Sequence, residues 1–442
     1  MNRQPRLAQI NRQIGKSDLY WFGTRGSDGQ ALACLESYQG AFGYICPDPD
    51  QPEHGLSYSL ETKKLLRVDL NRYDIDNDAS TETALMRDNL MLALSRPSVI
   101  LPYRPSLFLS SMVFPRRHTV KYAGMFFLKQ LCYEYKPWTE TELEKFGVNI
   151  LPWRYYGENE IFRFLKETGD EPIVLRVSRG AGGVGIIRVE APRDAVSFCK
   201  HNKDSFFAVS TFLNPNLPIS VNAVVFDNAE TIVFPPTAQL VGLETCTTRN
   251  LGYCGNDSGP IRSLPDSILD DIQKMTKKIG RWLRSTGYLG AFGVDLLLHE
   301  EELFMAEVNP RFLASSPFVA RLCAKRGYTD PFLEHIAAYY RLPPLRQLPL
   351  AEQIKDIEPM AQVFCFNRGS QAIRRQPGDL DPDDPEVSIE DYPKTEVAVE
   401  VNAQLFKAVF HRSITDDGWS IRERDRTLLK KLVEQWILGP IH

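Results

Sequence analysis

The sequence predicts a mixed α/β fold of the α+β kind, and three observations support this prediction. Strand-like and helical hydrophobic patterns alternate along much of the 442-residue chain. A glycine-rich loop at 180–185 joins two strand-like runs, and a hairpin pattern at 287–317 carries acidic residues inside apolar runs. We expect three domains: a small N-terminal α/β domain (1–117), a central domain (118–342) and a C-terminal α+β domain (343–442).

Composition places the chain among ordinary globular proteins. Its net charge of -4 gives no electrostatic reason to bind nucleic acid or an anionic membrane. No apolar run approaches bilayer length and the N-terminus has no hydrophobic signal core, so we expect a cytoplasmic protein. The eight cysteines form no CxxC or CxxH pair, which argues against structural zinc and favours their being small buried hydrophobic side chains.

In the N-terminal region, residues 18–24 (DLYWFGT) are predicted to form a buried strand. Residues 81–94 have the apolar spacing of a helix, with an acidic residue near its start. Residues 98–102 read as a short apolar strand that ends at proline. Because the rest of 30–115 mixes both patterns, we expect a small α/β domain here.

The pattern changes at about residue 118, where residues 118–132 (HTVKYAGMFFLKQLC) are predicted to form a helix. Further strands are predicted at 148–151, 172–178, 186–189, 206–213 and 219–225, and further helices at 158–167, 193–201 and 267–285.

In the C-terminal region, residues 360–366 are predicted to form a strand and residues 378–393 an acidic, proline-rich loop. Residues 396–401 show strict alternation of valines, which predicts another strand. A helix over 424–438 closes the chain.

The hairpin pattern also carries the clearest chemical signal. Asp295 lies in its first apolar run, and Glu307 and Asn309 lie at the end of the second. On neighbouring antiparallel strands these side chains can project from one face, where two carboxylates and an amide oxygen suit Mg²⁺. Arg311 follows and can direct its guanidinium at the same charge. The alternative is a strand pair with incidental acids, but an unpaired charge inside an apolar run is costly.

The glycine loop GAGGVG satisfies GxGxxG, which alone is weak evidence. A dinucleotide fold needs a helix directly after the loop, whereas IIRV is strand-like, and a protein kinase needs D-F-G and H-R-D motifs that this chain lacks. What remains is a flexible flap whose backbone can close over phosphates, with Arg176 in the preceding strand, or a surface hairpin rich in glycine.

In this order, the flap and the string GVDLLLHEEELFMAEVNPR resemble the ATP-grasp superfamily over roughly 118–340. The resemblance implies an ATP-grasp fold with a preceding pre-ATP-grasp domain, and ATP and one or two Mg²⁺ ions as cofactors. It implies that Asp295, Glu307 and Asn309 are metal ligands and that Arg311 faces phosphate. It also implies that Arg176 replaces the usual phosphate-contacting lysine and that Lys121, in the predicted helix, is a candidate for the other. The implied nucleotide-binding flap and hinge residues are Gly180, Ala181, Gly182, Gly183, Val184, Gly185, Ser210, Thr211, Phe212 and Leu213.

The sequence departs from the family pattern at that hinge, where Ser210 and Thr211 stand in place of the usual acids. Residues 239–257 are similar to the matching stretch of the peptide ligases of peptide-antibiotic pathways. We expect the acceptor pocket beyond the metal site, near 311–316 and 254–256. The terminal regions are expected to shape it or to mediate dimerisation, and the sequence leaves a homodimer open.

The resemblance implies an ATP-dependent carboxylate–amine ligase that forms an amide or peptide bond through an acyl phosphate. Arg311 and Arg176 are the expected catalytic residues, and the expected substrates are a small carboxylate and an amine, such as an amino acid or small peptide. Two alternatives stay open. The protein could phosphorylate, or form a thioester with, another acceptor, or it could bind nucleotide as a regulatory protein without turnover.

Overall fold

The computed structural model describes residues 2–46, 56–167, 172–180, 182–202, 204–377 and 380–436. Its N-terminal part holds five helices and six strands among those residues: α1 (Arg3–Ile14), β1 (Asp18–Arg25), β2 (Tyr38–Ile45), β3 (Tyr58–Ser59), α2 (Leu60–Lys64), β4 (Leu66–Arg67), α3 (Thr81–Ala93), β5 (Ser98–Pro102), α4 (Leu107–Val113), β6 (Val120–Tyr122) and α5 (Phe127–Tyr133).

Five of these strands form a parallel sheet in the order β3-β2-β1-β5-β6. The central strand β1 is buried along most of its length, as its near-continuous apolar sequence predicts for a parallel sheet covered on both faces. Arg25 ends β1, and Tyr103 directly follows β5. Because β1 and β5 are parallel neighbours, these two residues lie at the same edge of the sheet.

The middle of the chain begins at α6 and contains the glycine loop between β8 and β9. Its elements are α6 (Lys136–Lys145), β7 (Arg154–Tyr156), α7 (Glu158–Glu167), β8 (Ile173–Arg176), β9 (Ile186–Val189), α8 (Pro192–His201), β10 (Phe207–Thr211), β11 (Leu217–Val225), β12 (Thr231–Val233), β13 (Thr237–Val241), β14 (Tyr253–Asp257), α9 (Asp266–Ser285), β15 (Gly290–His299), β16 (Glu302–Asn309), α10 (Ser316–Lys325) and α11 (Pro331–Tyr339). Strands β7 to β10 form a small sheet in the order β7-β10-β8-β9.

The last elements are α12 (Leu350–Lys355), β17 (Ala361–Phe366), β18 (Ile373–Arg374), β19 (Val387–Glu390), β20 (Ala398–Val399), β21 (Gln404–Phe410) and α13 (Glu423–Trp436). A nine-stranded sheet runs in the order β16-β15-β11-β13-β14-β17-β21-β19, with β12 paired to β11. One continuous sheet therefore joins the site-bearing hairpin to the C-terminal strands. A separate three-stranded sheet pairs β4 and β18 with β20, and it connects the N-terminal region to the C-terminal one.

Apolar packing links the parallel sheet to the nine-stranded sheet. Trp21 of β1 is fully buried and meets the rings of Phe312 and Phe332 at 5.4 and 5.5 Å between centroids. Arg6 of α1 and Glu334 of α11 are both fully buried, and two hydrogen bonds of 2.9 Å pair them. Such a pair satisfies both charges where neither could be left alone.

The predicted mixed α/β class is confirmed, but several elements differ from prediction. Residues 118–132 are not one helix: β6 comes first and α5 follows, because Val120–Tyr122 supplies an edge strand to the parallel sheet. Residues 148–151 form no strand, and Ile150 makes only an isolated bridge to Met305.

Two C-terminal predictions also need correction. The loop predicted at 378–393 contains β19, which pairs with β21, while residues 378 and 379 lie outside the described part of the chain. The strand predicted at 396–401 shrinks to the two residues of β20, although Val397 and Val399 are buried as the alternation requires. The predicted closing helix is α13, and residues 437 and 438 are not described.

Within the described ranges, no helix is both long and apolar enough to span a bilayer. All eight cysteines are free thiols, and five of them are buried.

Candidate active site

The β15–β16 hairpin places three oxygen-bearing side chains on one face. Asp295 pairs directly with Glu307, and Gly293 pairs with Asn309. An irregularity after Asp295 leaves Ala306 without a partner across the pair, and beyond it the regular alternation of β16 puts Glu307 and Asn309 on one side. The turn of the hairpin at 300–301 uses positive φ at both glutamates. The predicted convergence of Asp295, Glu307 and Asn309 is therefore what the register produces.

Hydrogen bonds hold the Asp295 carboxylate from two sides. Gln239 on β13 donates to Oδ1 at 2.6 Å, and Asn309 Nδ2 donates to Oδ2 at 3.1 Å. Burial and then the charge of Glu307 raise the pKa of Asp295 to about 7, against the opposing effect of Arg311. Two carboxylates that repel each other in a half-buried setting form a site that a cation would stabilise.

Arg311 lies at the same site, as predicted. Its guanidinium donates to Asn309 Oδ1 at 2.9 Å and to the Tyr103 hydroxyl at 2.9 Å, and it lies over the Tyr103 ring. Arg311 thus connects the end of β16 to the carboxyl edge of the parallel sheet. Tyr103 carried no sequence signal, because only the packing of two sheets brings it to Arg311.

A buried polar network fixes the loop that carries Arg311. Ser315 Oγ accepts a 3.0 Å hydrogen bond from Asn222, and Ser316 Oγ donates to Asn222 Oδ1 at 2.6 Å. The same Ser316 hydroxyl accepts from the backbone N–H of Leu313 at 2.8 Å. Satisfied buried networks of this kind are rigid, so the loop holds Arg311 in one position.

The glycine loop forms the predicted turn between two antiparallel strands. Gly182, Gly183 and Gly185 have positive φ, which explains the glycine-rich sequence. A Cβ on Gly183 would lie 2.6 Å from Gly252 Cα, so the loop packs directly against the 249–252 segment. Gly180 and Val184 lie in the same turn, and Ala181 falls outside the described residues.

Lys136 joins the flap to the carboxylates, and the sequence analysis missed it. Its Nζ lies 3.0 Å from Glu307 Oε1 and donates to the Gly180 carbonyl at 2.9 Å. Lys136 is the first residue of α6, and its backbone N–H donates to the Ser178 carbonyl at 3.2 Å. The lysine preceding Pro137 was the available signal, since proline favours the first turn of a helix.

Lys121 does not lie with these groups, and its predicted placement on a helix is wrong. It lies on β6, where its ammonium sits 4.1 Å from the centroid of the Tyr340 ring. Burial lowers the pKa of Lys121, and Arg341 lowers it further. Lys121 belongs to the far edge of the parallel sheet because residues 120–122 extend that sheet.

Arg176 lies at the base of the site on β8. Its guanidinium stacks 3.8 Å from the centroid of the Trp153 ring and forms an ion pair with Glu140. Its Nη1 also donates to the Ala306 carbonyl at 3.5 Å. Ala306 is the neighbour of Glu307, so Arg176 lies beside the hairpin. Glu140 and Trp153 are further residues that the sequence analysis did not find.

The predicted hinge covers the last two residues of β10 and the two residues that follow it. Ser210 is buried and its hydroxyl has no hydrogen-bond partner, whereas Thr211 is exposed. Phe212 packs against Trp419 at 5.6 Å between centroids and beneath the guanidinium of Arg188 at 4.5 Å. The buried Ser210 hydroxyl, which lacks a hydrogen-bond partner, is the group at this hinge that could bind a polar atom of a ligand. Leu213 follows, with its carbonyl accepting from Asn216.

The donor set fits a hard divalent cation. Asp295 and Glu307 supply carboxylate oxygens on one face, and Asn309 supplies an amide oxygen that now accepts from Arg311. Among the described residues no cluster of three or more His, Cys, Asp or Glu side chains is arranged to hold a metal.

Comparisons with known proteins find relatives of the central part of the chain. The ATP-grasp domain family matches residues 136–315, which begin at Lys136 and end at Ser315. The large chain of carbamoyl phosphate synthase from Pseudomonas aeruginosa is 27% identical over 157 residues, covering 34% of this chain and 14% of its own length. The corresponding chain of Methanosphaerula palustris is 26% identical over 202 residues, covering 40% and 18%. This chain therefore matches less than a fifth of the length of either relative.

Solved structures with the same fold cover nearly the whole chain. An N5-carboxyaminoimidazole synthase from Aspergillus clavatus, in complex with ADP and 5-aminoimidazole ribonucleotide, has a TM-score of 0.60 at 14% identity and covers 95% of this chain and 98% of its own. Biotin carboxylase from Campylobacter jejuni, in a β,γ-ATP complex, has a TM-score of 0.56 at 15% identity and covers 98% and 89%. A biotin carboxylase domain dimer from Hydrogenobacter thermophilus, with MgADP and bicarbonate, has a TM-score of 0.60 at 14% identity and covers 96% and 91%.

At these identities the structures establish the fold, and the family match locates the ATP-grasp domain within it. Residues 136–315 of this chain match the ATP-grasp domain family, and the chain shares the overall fold of these solved structures.

Proposed function

We propose that this protein is an ATP-dependent carboxylate–amine ligase that forms an amide or peptide bond through an acyl phosphate. The observation that carries the proposal is the convergence of Asp295, Glu307 and Asn309 beside Arg311, with Lys136 linking Glu307 to the glycine loop. We also propose that the chain is divided into domains at 1–117, 118–342 and 343–442.

Each group has a separate task in this proposal. Asp295, Glu307 and Asn309 would hold one or two Mg²⁺ ions, whose charge would offset that of the nucleotide phosphates. Lys136 and the backbone of the glycine loop bind the β- and γ-phosphates, with Arg176 beneath them. The turn at 180–185 excludes water that would hydrolyse the activated acid. Ser210 to Leu213 receive the base.

The chemistry that these residues support has two steps. A carboxylate oxygen of the acid attacks the γ-phosphorus, and the bond from that phosphorus to the β–γ bridging oxygen breaks, which releases ADP. Arg311 stabilises the charge on the transferring group. The amine nitrogen then attacks the acyl carbon, the bond from that carbon to the phosphate oxygen breaks, and the amine loses a proton. These residues position the substrates and neutralise the charge of the phosphates, and no side chain acts as a covalent nucleophile.

Two other functions use the same fold. Transfer of phosphate to another acceptor, or formation of a thioester, would give a phosphoester or thioester instead of an amide, and mass spectrometry of the product separates them. A regulatory nucleotide-binding protein would bind MgATP without steady ADP release. The proximity of all three oxygen ligands to Arg311 favours turnover, because binding alone has less need of the full set.

The test is the substitution Glu307→Gln, which keeps the shape of the side chain and removes its charge. We expect ADP release with a suitable acid and amine to fall about 100-fold or more, because a metal ligand contributes several kcal/mol of charge stabilisation. The side chain of Glu307 is 28% exposed, so the fold should tolerate the change.

Glu301→Gln on the exposed turn of the same hairpin is the matched control and should leave ADP release unchanged. A Glu307→Gln protein that turns over at the wild-type rate, with an unchanged thermal melting curve, would refute the assignment.

A further inference from the structure

The parallel sheet directs a second arginine toward the site. Arg25 ends β1 and Tyr103 follows β5, its parallel neighbour, so both lie at the carboxyl edge of that sheet. Ligands of open α/β sheets bind outside this edge. Tyr103 is already in contact with Arg311, and it is close enough to Arg25 to interact with its charge. The tyrosine thus stands between two guanidinium groups.

The nine-stranded sheet supplies the opposite wall. Arg25 lies over the ring of Phe364 on β17, 5.2 Å from its centroid, and Tyr253 on β14 is near enough to interact with the charges of Arg25 and Asp295. The Tyr253 hydroxyl donates to Asn256, and Gln362 Nε2 lies 3.5 Å from the same Asn256 oxygen. A polar strip therefore leads from the carboxylates to Arg25 across β13, β14 and β17.

Arg25 has unused donors in this setting. Its Nε donates to Asp28 at 3.2 Å, and within the described residues neither terminal nitrogen donates a hydrogen bond to the protein. The two terminal nitrogens of Arg25 are also not fully enclosed in the protein core. The other carboxylate whose charge acts on Arg25 is Asp391, which Lys407 holds at 2.9 Å. Two parallel N–H groups without a partner match the two oxygens of a carboxylate.

We propose that Arg25, with the Tyr103 hydroxyl, binds a carboxylate group of the amine substrate, so that the acceptor of the ligase is an amino acid or a small peptide with a free carboxylate. This inference rests on the proposed ligase function, which places the activated acid at Arg311. The Tyr103 hydroxyl accepts from Arg311 and retains its own proton, so it can donate to a group on the Arg25 side. The acceptor carboxylate is held at Arg25, and its amine points back toward Arg311.

A binding experiment tests the proposed carboxylate site at Arg25 without requiring turnover. The full-length protein with MgADP is mixed with a panel of L-amino acids and dipeptides, each matched with its C-terminal amide, and saturation-transfer NMR measures binding. We expect at least one acid to bind about 10- to 100-fold more tightly than its amide, the range for a hydrogen-bonded charge. Arg25→Gln should remove that preference and leave MgADP affinity unchanged.

Arg117→Gln, an exposed arginine ahead of β6, is the control and should keep the preference. Because Arg25→Gln leaves the buried Asp28 without its cation, the double variant R25Q/D28N provides the same measurement if the single variant is unstable. The proposal is overturned if no acid binds, if acids and amides bind equally, or if the preference survives in these variants. A preference that persists without any ADP release would count against the ligase function and leave the carboxylate site standing.

Discussion

Lys136 is the residue on which the nucleotide end of the site depends most directly. It contacts a metal-ligand candidate and the backbone of the glycine loop with one ammonium group. Its position at the start of α6 is set by the helix and by a backbone hydrogen bond to Ser178. The ammonium is therefore held where the flap and the hairpin meet.

Lys136→Met should raise the KM for ATP about 10- to 100-fold, because a charge-assisted contact to phosphate is lost. Lys121→Met is the control: Lys121 packs on Tyr340 and should leave the KM for ATP unchanged. Steady-state ADP release at varied ATP measures both. A larger effect at Lys121 than at Lys136 would reverse the assignment made here.

Among the elements, the glycine loop has the most specific backbone requirement. Gly183 has φ of +80° and no room for a Cβ beside Gly252. The neighbouring strand β9 is also held to that segment, since Asn250 donates to the Arg188 carbonyl at 3.0 Å. The geometry of the loop thus depends on the 249–252 segment.

Gly183→Ala should raise the KM for ATP at least several-fold, because the added methyl forces the loop away from its seat. Gly327→Ala is the matched control: its φ is +66°, and a Cβ there would meet nothing within 4 Å. Both variants should lose about 1–2 kcal/mol of stability from left-handed backbone strain. Only Gly183→Ala should change the dependence of ADP release on ATP, and equal kinetics in the two would contradict this account.

At the scale of the whole molecule, His335 connects the parallel sheet to the nine-stranded one. Its Nδ1 accepts from the Ala291 N–H at 2.9 Å, and its Nε2 donates to the Ala123 carbonyl at 2.8 Å. Since one partner can only donate and the other only accept, the ring is the neutral Nε2–H tautomer. Burial lowers the pKa of His335 from 6.5 to about 4.

This pKa predicts an acid-sensitive fold. Between pH 6.5 and pH 4 the unfolded chain binds a proton that the folded chain does not, so the free energy of unfolding falls as pH falls through this window. The contribution of His335 to the loss is about 3 kcal/mol, and it stops below pH 4, where both states are protonated. Urea unfolding at pH 7.5 and 4.5 should show a shallower pH dependence in His335→Asn than in the wild type, whatever its absolute stability. Parallel pH profiles for the two proteins would exclude His335 as the titrating group.

Local sequence patterns were enough to predict the elements with strong periodicity and the chemistry that lies within one of them. The hairpin is the clearest case: Asp295, Glu307 and Asn309 share a face because strand pairing and a period of two are local properties. The glycine loop could be predicted for the same reason, because backbone with positive φ favours glycine.

Which cations and rings surround these groups depends on tertiary packing, and the structure was needed to show it. Lys136, Tyr103 and Arg25 are separated from the hairpin by more than 150 residues of chain, and Lys121 was misplaced because residues 120–122 extend a parallel sheet. Contacts between distant segments depend on how two sheets pack, and no local pattern encodes that.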